Sequence, residues 1–171
     1  RNGVGNWVVQ ASIMSPVGIL TNPVTLSDQT KSASALDLAV APDSTEFVVW
    51  RQAGPDDKRI VSSVRTKNAG TFSSPTPISA AGQDARTPSV AVGPDGTAHF
   101  SWKLTKVPND VIQTRTRQPN GTLTLPDTLS NVSLNSTDPQ LAVGPDGTTV
   151  VVWTTYGADG TPIFTSKAAP G

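Results

Sequence analysis

One eleven-residue stretch is written three times along the chain: "VAPDSTEFVVW" at 40–50, "VGPDGTAHFSW" at 92–102 and "VGPDGTTVVVW" at 143–153. Trp50, Trp102 and Trp153 are 52 and 51 residues apart, and Asp43, Asp95 and Asp146 keep the same steps. The copies extend further. "GILTNPVTLS" (18–27), "GTFSSPTPIS" (70–79) and "GTLTLPDTLS" (121–130) carry Pro23, Pro75 and Pro126, and Ser27, Ser79 and Ser130, at that spacing. A period of about 51 residues restricts the fold severely. Each unit is one supersecondary element that presents the same faces as its neighbours and buries them only by stacking.

Within a unit the runs read as strands. "SVAV" or "QLAV" leads into a Pro-Asp-Gly turn and then "TAHFSW" or "TTVVVW". Asp-Gly between two such runs is a hairpin signal, since Gly takes positive φ without a Cβ clash and Asp bonds the turn backbone. A third run, "RIVSSVRT" (59–66) or "VIQTRTR" (111–117), reaches a second turn at "NAGT" or "PNGT", and a fourth ends at "PIS" or "TLS". Val, Thr, Ile and Trp dominate, and apolar residues never hold a helical spacing for more than a turn. Each unit is expected to be four short antiparallel strands.

Four strands in about fifty residues match a β-propeller blade. Phe47 and Val49 point one way on the second strand, Val48 and Trp50 the other, so both faces are apolar. A blade packed between two others has that character, whereas a strand with one wet face alternates. The expected architecture is all-β: one domain over 1–171, a propeller segment of about three and a third blades. Its blades are 1–27 (partial), 36–79, 88–130 and 139–167 (partial), and a shallow sandwich is the alternative. The Pro-Asp-Gly-Thr hairpin, the aliphatic strand ending in Trp, the Gly-Thr-aromatic turn and the closing Leu-Ser together resemble the repeats of secreted bacterial β-propellers of the sialidase-like, Asp-box-related kind. The box itself is echoed at "KNAGTF" (67–72), with Asn68 in place of its Asp. The resemblance implies an extracellular or cell-surface protein that handles carbohydrate. Closed propellers have four to eight blades, so other copies, a longer chain or a different docking partner are expected to complete the ring.

Composition narrows the partners. Thirteen Lys and Arg balance thirteen Asp and Glu, and charged residues are 15% of the chain. That balance supplies no surplus of cations for nucleic acid, and no apolar run is long enough for a membrane helix. There are no cysteines, and no cofactor or metal motif is evident. Asp43, Asp95 and Asp146 are read as turn residues, and Trp50, Trp102 and Trp153 as core. Glu46 is the only glutamate and His99 the only histidine, an interior hydrogen-bonded one by expectation. With most Asp residues in turns, a glycosidase carboxylate pair has few sources. The reading is a non-catalytic, lectin-like module whose partner is a glycan or a surface protein. Trp7, Arg51, Lys103 and Tyr156 are the candidate ligand contacts. The alternatives are a segment of a larger secreted sialidase-like glycoside hydrolase and a structural docking propeller.

Overall fold

The computed structural model describes residues 5–54 and 58–157, and the backbone of 162–169; residues 1–4 of the first expected unit and 158–161 of the last lie outside the described residues. Among these there are thirteen strands and no helix. They are β1 (Gln10–Ala11), β2 (Val24–Thr25), β3 (Ser32–Val40), β4 (Glu46–Ala53), β5 (Lys58–Arg65), β6 (Thr76–Pro77), β7 (Asp84–Val92), β8 (Ala98–Thr105), β9 (Val111–Arg117), β10 (Asp127–Thr128), β11 (Asn135–Val143), β12 (Thr149–Tyr156) and β13 (Pro162–Ala169). Two antiparallel meanders, β3-β4-β5-β6 and β7-β8-β9-β10, are flanked by the pair β1-β2 and the triplet β11-β12-β13. A single parallel pair, Lys58 with Asp84, joins the meanders edge to edge.

Equivalent strands begin at Ser32, Asp84 and Asn135, four residues ahead of the starts expected from sequence. The extra turn of strand lies before a bulge. Ala35, Thr87 and Asp138 take left-handed φ of 47°, 45° and 53°, and the pairing register shifts at each. An alternating pattern cannot be read through such a shift, because a bulge moves the following side chains to the other face. The fourth strands pair over two residues only. Pro75, Pro77 and Pro126 have no N–H to give a ladder, so other groups serve there. The buried Ser27, Ser79 and Ser130 hydroxyls accept the N–H of Val9, Ile60 and Ile112 at 2.9, 3.0 and 2.9 Å. The recurring Leu-Ser or Ile-Ser of the sequence is thus a side-chain substitute for strand pairing.

At each of the three hairpins, Pro-Asp-Ser in the first unit and Pro-Asp-Gly in the other two, both Asp carboxylate oxygens accept hydrogen bonds. Oδ1 of Asp43, Asp95 and Asp146 accepts the N–H of Thr45, Thr97 and Thr148 at 2.8, 2.9 and 3.0 Å, and Oδ2 accepts the same threonine's hydroxyl. These bonds favour the ionised form and hold all three carboxyls below the usual range.

The units stack through the second strands. Trp50 packs with Val9, Leu26 and Val61, so its face turns to the preceding pair β1-β2. Phe47 and Val49, on the opposite face of β4, share a core with Val90, Phe100 and Trp102 of the next meander. Ile112 of that meander in turn meets Val151 and Trp153. Each fully buried side chain of this size contributes about 1.5–3 kcal/mol relative to exposure, so the stack supports each sheet. His99 stands where β4 has Phe47. Its imidazole is half-buried and has no hydrogen-bond partner among the described residues, which corrects the expected hydrogen-bonded role. Burial pushes its pKa down, and the Asp95 charge offsets this in part.

Candidate functional site

The strand ends opposite the Pro-Asp-Gly hairpins carry the polar chemistry. Arg51, near the end of β4, sends Nη2 to Asp84 Oδ1 at 3.2 Å. Arg86, two residues along β7, places Nη2 2.6 Å from Oδ2 of the same carboxylate, and Lys58 Nζ lies 3.8 Å from it. Lys103 is paired across the strands with Arg86 and reaches Asp110 Oδ2 at 3.0 Å. Four cations therefore gather about two carboxylates among the described residues. Burial raises the Asp84 carboxyl, but hydrogen bonds from Arg86 and Arg51 outweigh it and keep the group below the ordinary range. The same bond to Asp84 raises Arg86. Fixed guanidinium forks of this kind suit planar oxygen-rich ligands.

A polar cleft of about 320 Å³ opens at this end, between the β1-β2 pair and the first meander. Asp28, Lys31, Gln52 and Arg59 line it. Gln52 Oε1 accepts both the Asp28 N–H and the Trp50 indole N–H, each at 3.4 Å, which ties the cleft wall to the core beneath. Trp7 is exposed near the start of β3: its N–H points to Ser32 Oγ at 3.3 Å and its carbonyl accepts the Ala33 N–H at 2.9 Å. The serine bonds align Val9 with Ile60 and Ile112, so Trp7 shares its repeat position with Lys58 and Asp110, not with Arg59 as its spacing suggests.

Of the residues singled out from sequence, Arg51 and Lys103 are drawn into the ionic cluster, linked through Asp84, Arg86 and Asp110. Trp7 lies at the same end, by the start of β3. Tyr156, half-exposed, pairs with Asn135 in the last unit, and Asn135 Oδ1 accepts the Asp110 N–H at 2.9 Å, so Tyr156 stands one strand away from the cluster. Asp84 and Arg86 were not singled out as a pair. Their signal was a departure from the repeat: "DAR" at 84–86 stands where the other units have "SAS" and "NST". Arg65, Arg115 and Arg117 do not converge there. Arg65 pairs with Glu46, the sole glutamate, Arg117 lies 5.7 Å over the Phe47 ring, and Arg115 donates to the Ile78 carbonyl at 2.9 Å. Among the described residues no His, Cys, Asp and Glu cluster could hold a metal ion, and no helix is long and apolar enough to cross a membrane.

Comparison with known proteins gives the fold. No protein-family model matches the chain, and no curated protein matches it in sequence. Solved structures do. A Hadza microbial sialidase superposes with a TM-score of 0.64 at 12% identity, over 80% of this chain and 35% of that one. The endo-arabinase of Bacteroides thetaiotaomicron gives 0.60 at 13%, over 91% of this chain and 64% of the other. The intramolecular trans-sialidase of Ruminococcus gnavus gives 0.53 at 13%, over 86% and 35%. The chain thus spans between about a third and two thirds of the length of these structures, and it shares the architecture of β-propeller-type sialidase and arabinase domains.

Proposed function

We propose that this chain is a carbohydrate-binding segment of a secreted, sialidase-like β-propeller, built as about three and a third four-stranded blades and acting without a catalytic site of its own. The observation that carries this is the convergence of Arg51, Arg86 and Lys103 on Asp84 and Asp110, at the strand ends opposite the Asp hairpins. A cluster of planar donors at a strand end that also carries an exposed aromatic residue is the combination a pyranose or furanose ring uses for hydrogen bonding and stacking. Glu46 is held by Arg65 at the other end of the strands, so the only glutamate is spent on structure.

Glycan-array binding of the chain, with Trp7→Ala and Arg86→Ala as variants, tests the site. Each substitution is expected to weaken binding at least tenfold while leaving the circular dichroism unchanged. Binding that survives both would remove this face from consideration. The share of the matched structures that the chain spans favours a second reading, in which the chain is one part of a larger glycoside hydrolase. Fluorogenic glycoside assays separate the two: turnover by these 171 residues alone would overturn the non-catalytic reading.

A further inference from the structure

Two of the grooves between neighbouring units are repeat copies of one another. One, of about 430 Å³, lies between β1-β2 and the first meander and is lined by Ala11, Ile13, Val24, Arg65 and Phe72. The other, of about 450 Å³, lies between the two meanders, where Ser62, Val64, Thr76, Arg117 and Leu123 hold the equivalent positions. Both walls of this second groove come from whole four-stranded units.

The copies share a shape and differ in chemistry. In the first, the cross-strand pair is apolar, Ala11 with Val24, and Arg65 is neutralised by Glu46 on the neighbouring strand. In the second, that pair is Ser62 with Thr76, and the residue opposite Arg117 is Ala98, so no carboxylate among the described residues pairs with the guanidinium. Arg117 is partly buried, 5.7 Å over the Phe47 ring, and a Cβ on Gly121 would come within 3.2 Å of its Nη2, so the glycine leaves the fork room. Ser62 is 2% exposed and its Oγ has no hydrogen-bond partner. It alternates along β5 with Val64 and Thr66, which line the same groove, so its side chain turns to that side. The hydroxyls of Thr66, Thr71 and Thr76 on this groove are also unbonded among the described residues. An orphaned buried hydroxyl and an uncompensated cation each cost free energy; here both face one opening.

We propose that the groove between the two meanders binds a carboxylate-bearing sugar of the uronic acid type. The planar fork of Arg117 takes the carboxylate through two parallel N–H···O bonds. The hydroxyls of Ser62 and the three threonines, each both donor and acceptor and free to rotate, meet the hydroxyls of the sugar ring. Val64, Ile78 and Leu123 receive its C–H face. No Asp or Glu lines the groove, so one cation without a competing acid selects a single negative charge. A bare carboxylate would satisfy Arg117 and leave the hydroxyls unpaired, which favours a hydroxylated ligand. The site lies at the hairpin end of the strands and shares no residue with the Arg51, Asp84 and Arg86 cluster at the other end.

Saturation-transfer NMR on the full chain is the test, titrated with glucuronate, with glucose as the neutral counterpart and acetate as the bare carboxylate. Glucuronate should bind in the millimolar range, and glucose and acetate each about tenfold more weakly or worse, since each offers half of the recognised chemistry. Arg117→Gln should lower the affinity for glucuronate to that for glucose. Because Arg117 also covers Phe47, circular dichroism checks the fold. A second variant, Ser62→Ala with Thr76→Val, keeps side-chain size and installs the pair type of the sister groove; it should lower glucuronate affinity to that for acetate. Equal affinity for glucuronate and glucose, or for glucuronate and acetate, overturns the proposal. So does glucuronate binding that either variant leaves unchanged, or that Arg86→Ala alone removes, which would place the ligand at the strand-end cluster.

Discussion

The three repeat tryptophans offer a controlled measurement of one buried N–H. Trp153 Nε1 donates to Thr155 Oγ1 at 3.0 Å, and Trp50 Nε1 to Gln52 Oε1 at 3.4 Å. The residue two further on in the middle unit is Leu104, and Trp102 Nε1 meets no acceptor among the described residues although the ring is fully buried. Substitution by Phe removes similar ring area at all three sites, so the differences report the N–H. A satisfied bond lost costs about 0.5–1.5 kcal/mol, and a buried unsatisfied donor removed returns about 1–3 kcal/mol. Trp102→Phe should therefore destabilise less than Trp153→Phe, by about 2 kcal/mol, with Trp50→Phe between them. The cavity term works against this order, because Trp102 is the more deeply buried of the two. Urea unfolding is the assay. With a slope of about 2 kcal/mol/M, the two midpoints should differ by about 1 M. Equal costs, or a larger cost at Trp102, would refute the claim that its indole N–H is orphaned.

Two further substitutions follow from the backbone and from the one histidine. Ser44 holds a left-handed φ of 68° where the other hairpins have Gly96 and Gly147; Ser44→Gly should relieve that strain and stabilise by about 0.5–1 kcal/mol, a rise of roughly 1–4 °C in melting temperature. A melting temperature that falls would show the turn to be unstrained. His99 has its pKa lowered in the fold, so the unfolded chain binds the proton more tightly. Its contribution is present above the ordinary histidine range and is lost as pH falls from there through the folded value. His99→Phe, the residue of the equivalent position in the first unit, should flatten the stability profile over that window and leave the carboxylate-driven loss at lower pH, to which Asp43, Asp95 and Asp146 contribute. An unchanged slope in denaturant midpoint against pH would count against the burial of His99.

The period of the sequence determined the class of the fold, because identical turns and identical strands at one spacing can only make identical units. The Asp-Gly hairpins, the tryptophans at the strand ends and the apolar character of both faces of β4 are local properties, set by φ preferences and by period-two alternation, and they were legible one residue at a time. The recurring Ser27, Ser79 and Ser130 were visible as a pattern, but their purpose was not: only the packed strands show that each hydroxyl meets a third-strand N–H that the proline-rich fourth strand leaves unpaired. The bulges at Ala35, Thr87 and Asp138 hid the true start of each first strand, since one residue in the left-handed region reverses the alternation after it. Tertiary structure alone decided the site. Arg51 and Asp84 are 33 residues apart, on strands whose neighbourhood depends on how one meander is set against the next, and no local preference encodes that distance. The exposure of Leu38 and the burial of Val90, too, are invisible in a sequence where the two hold the same repeat position; only the packed structure shows that Val90 lies against Phe47 and Val49 of the preceding unit.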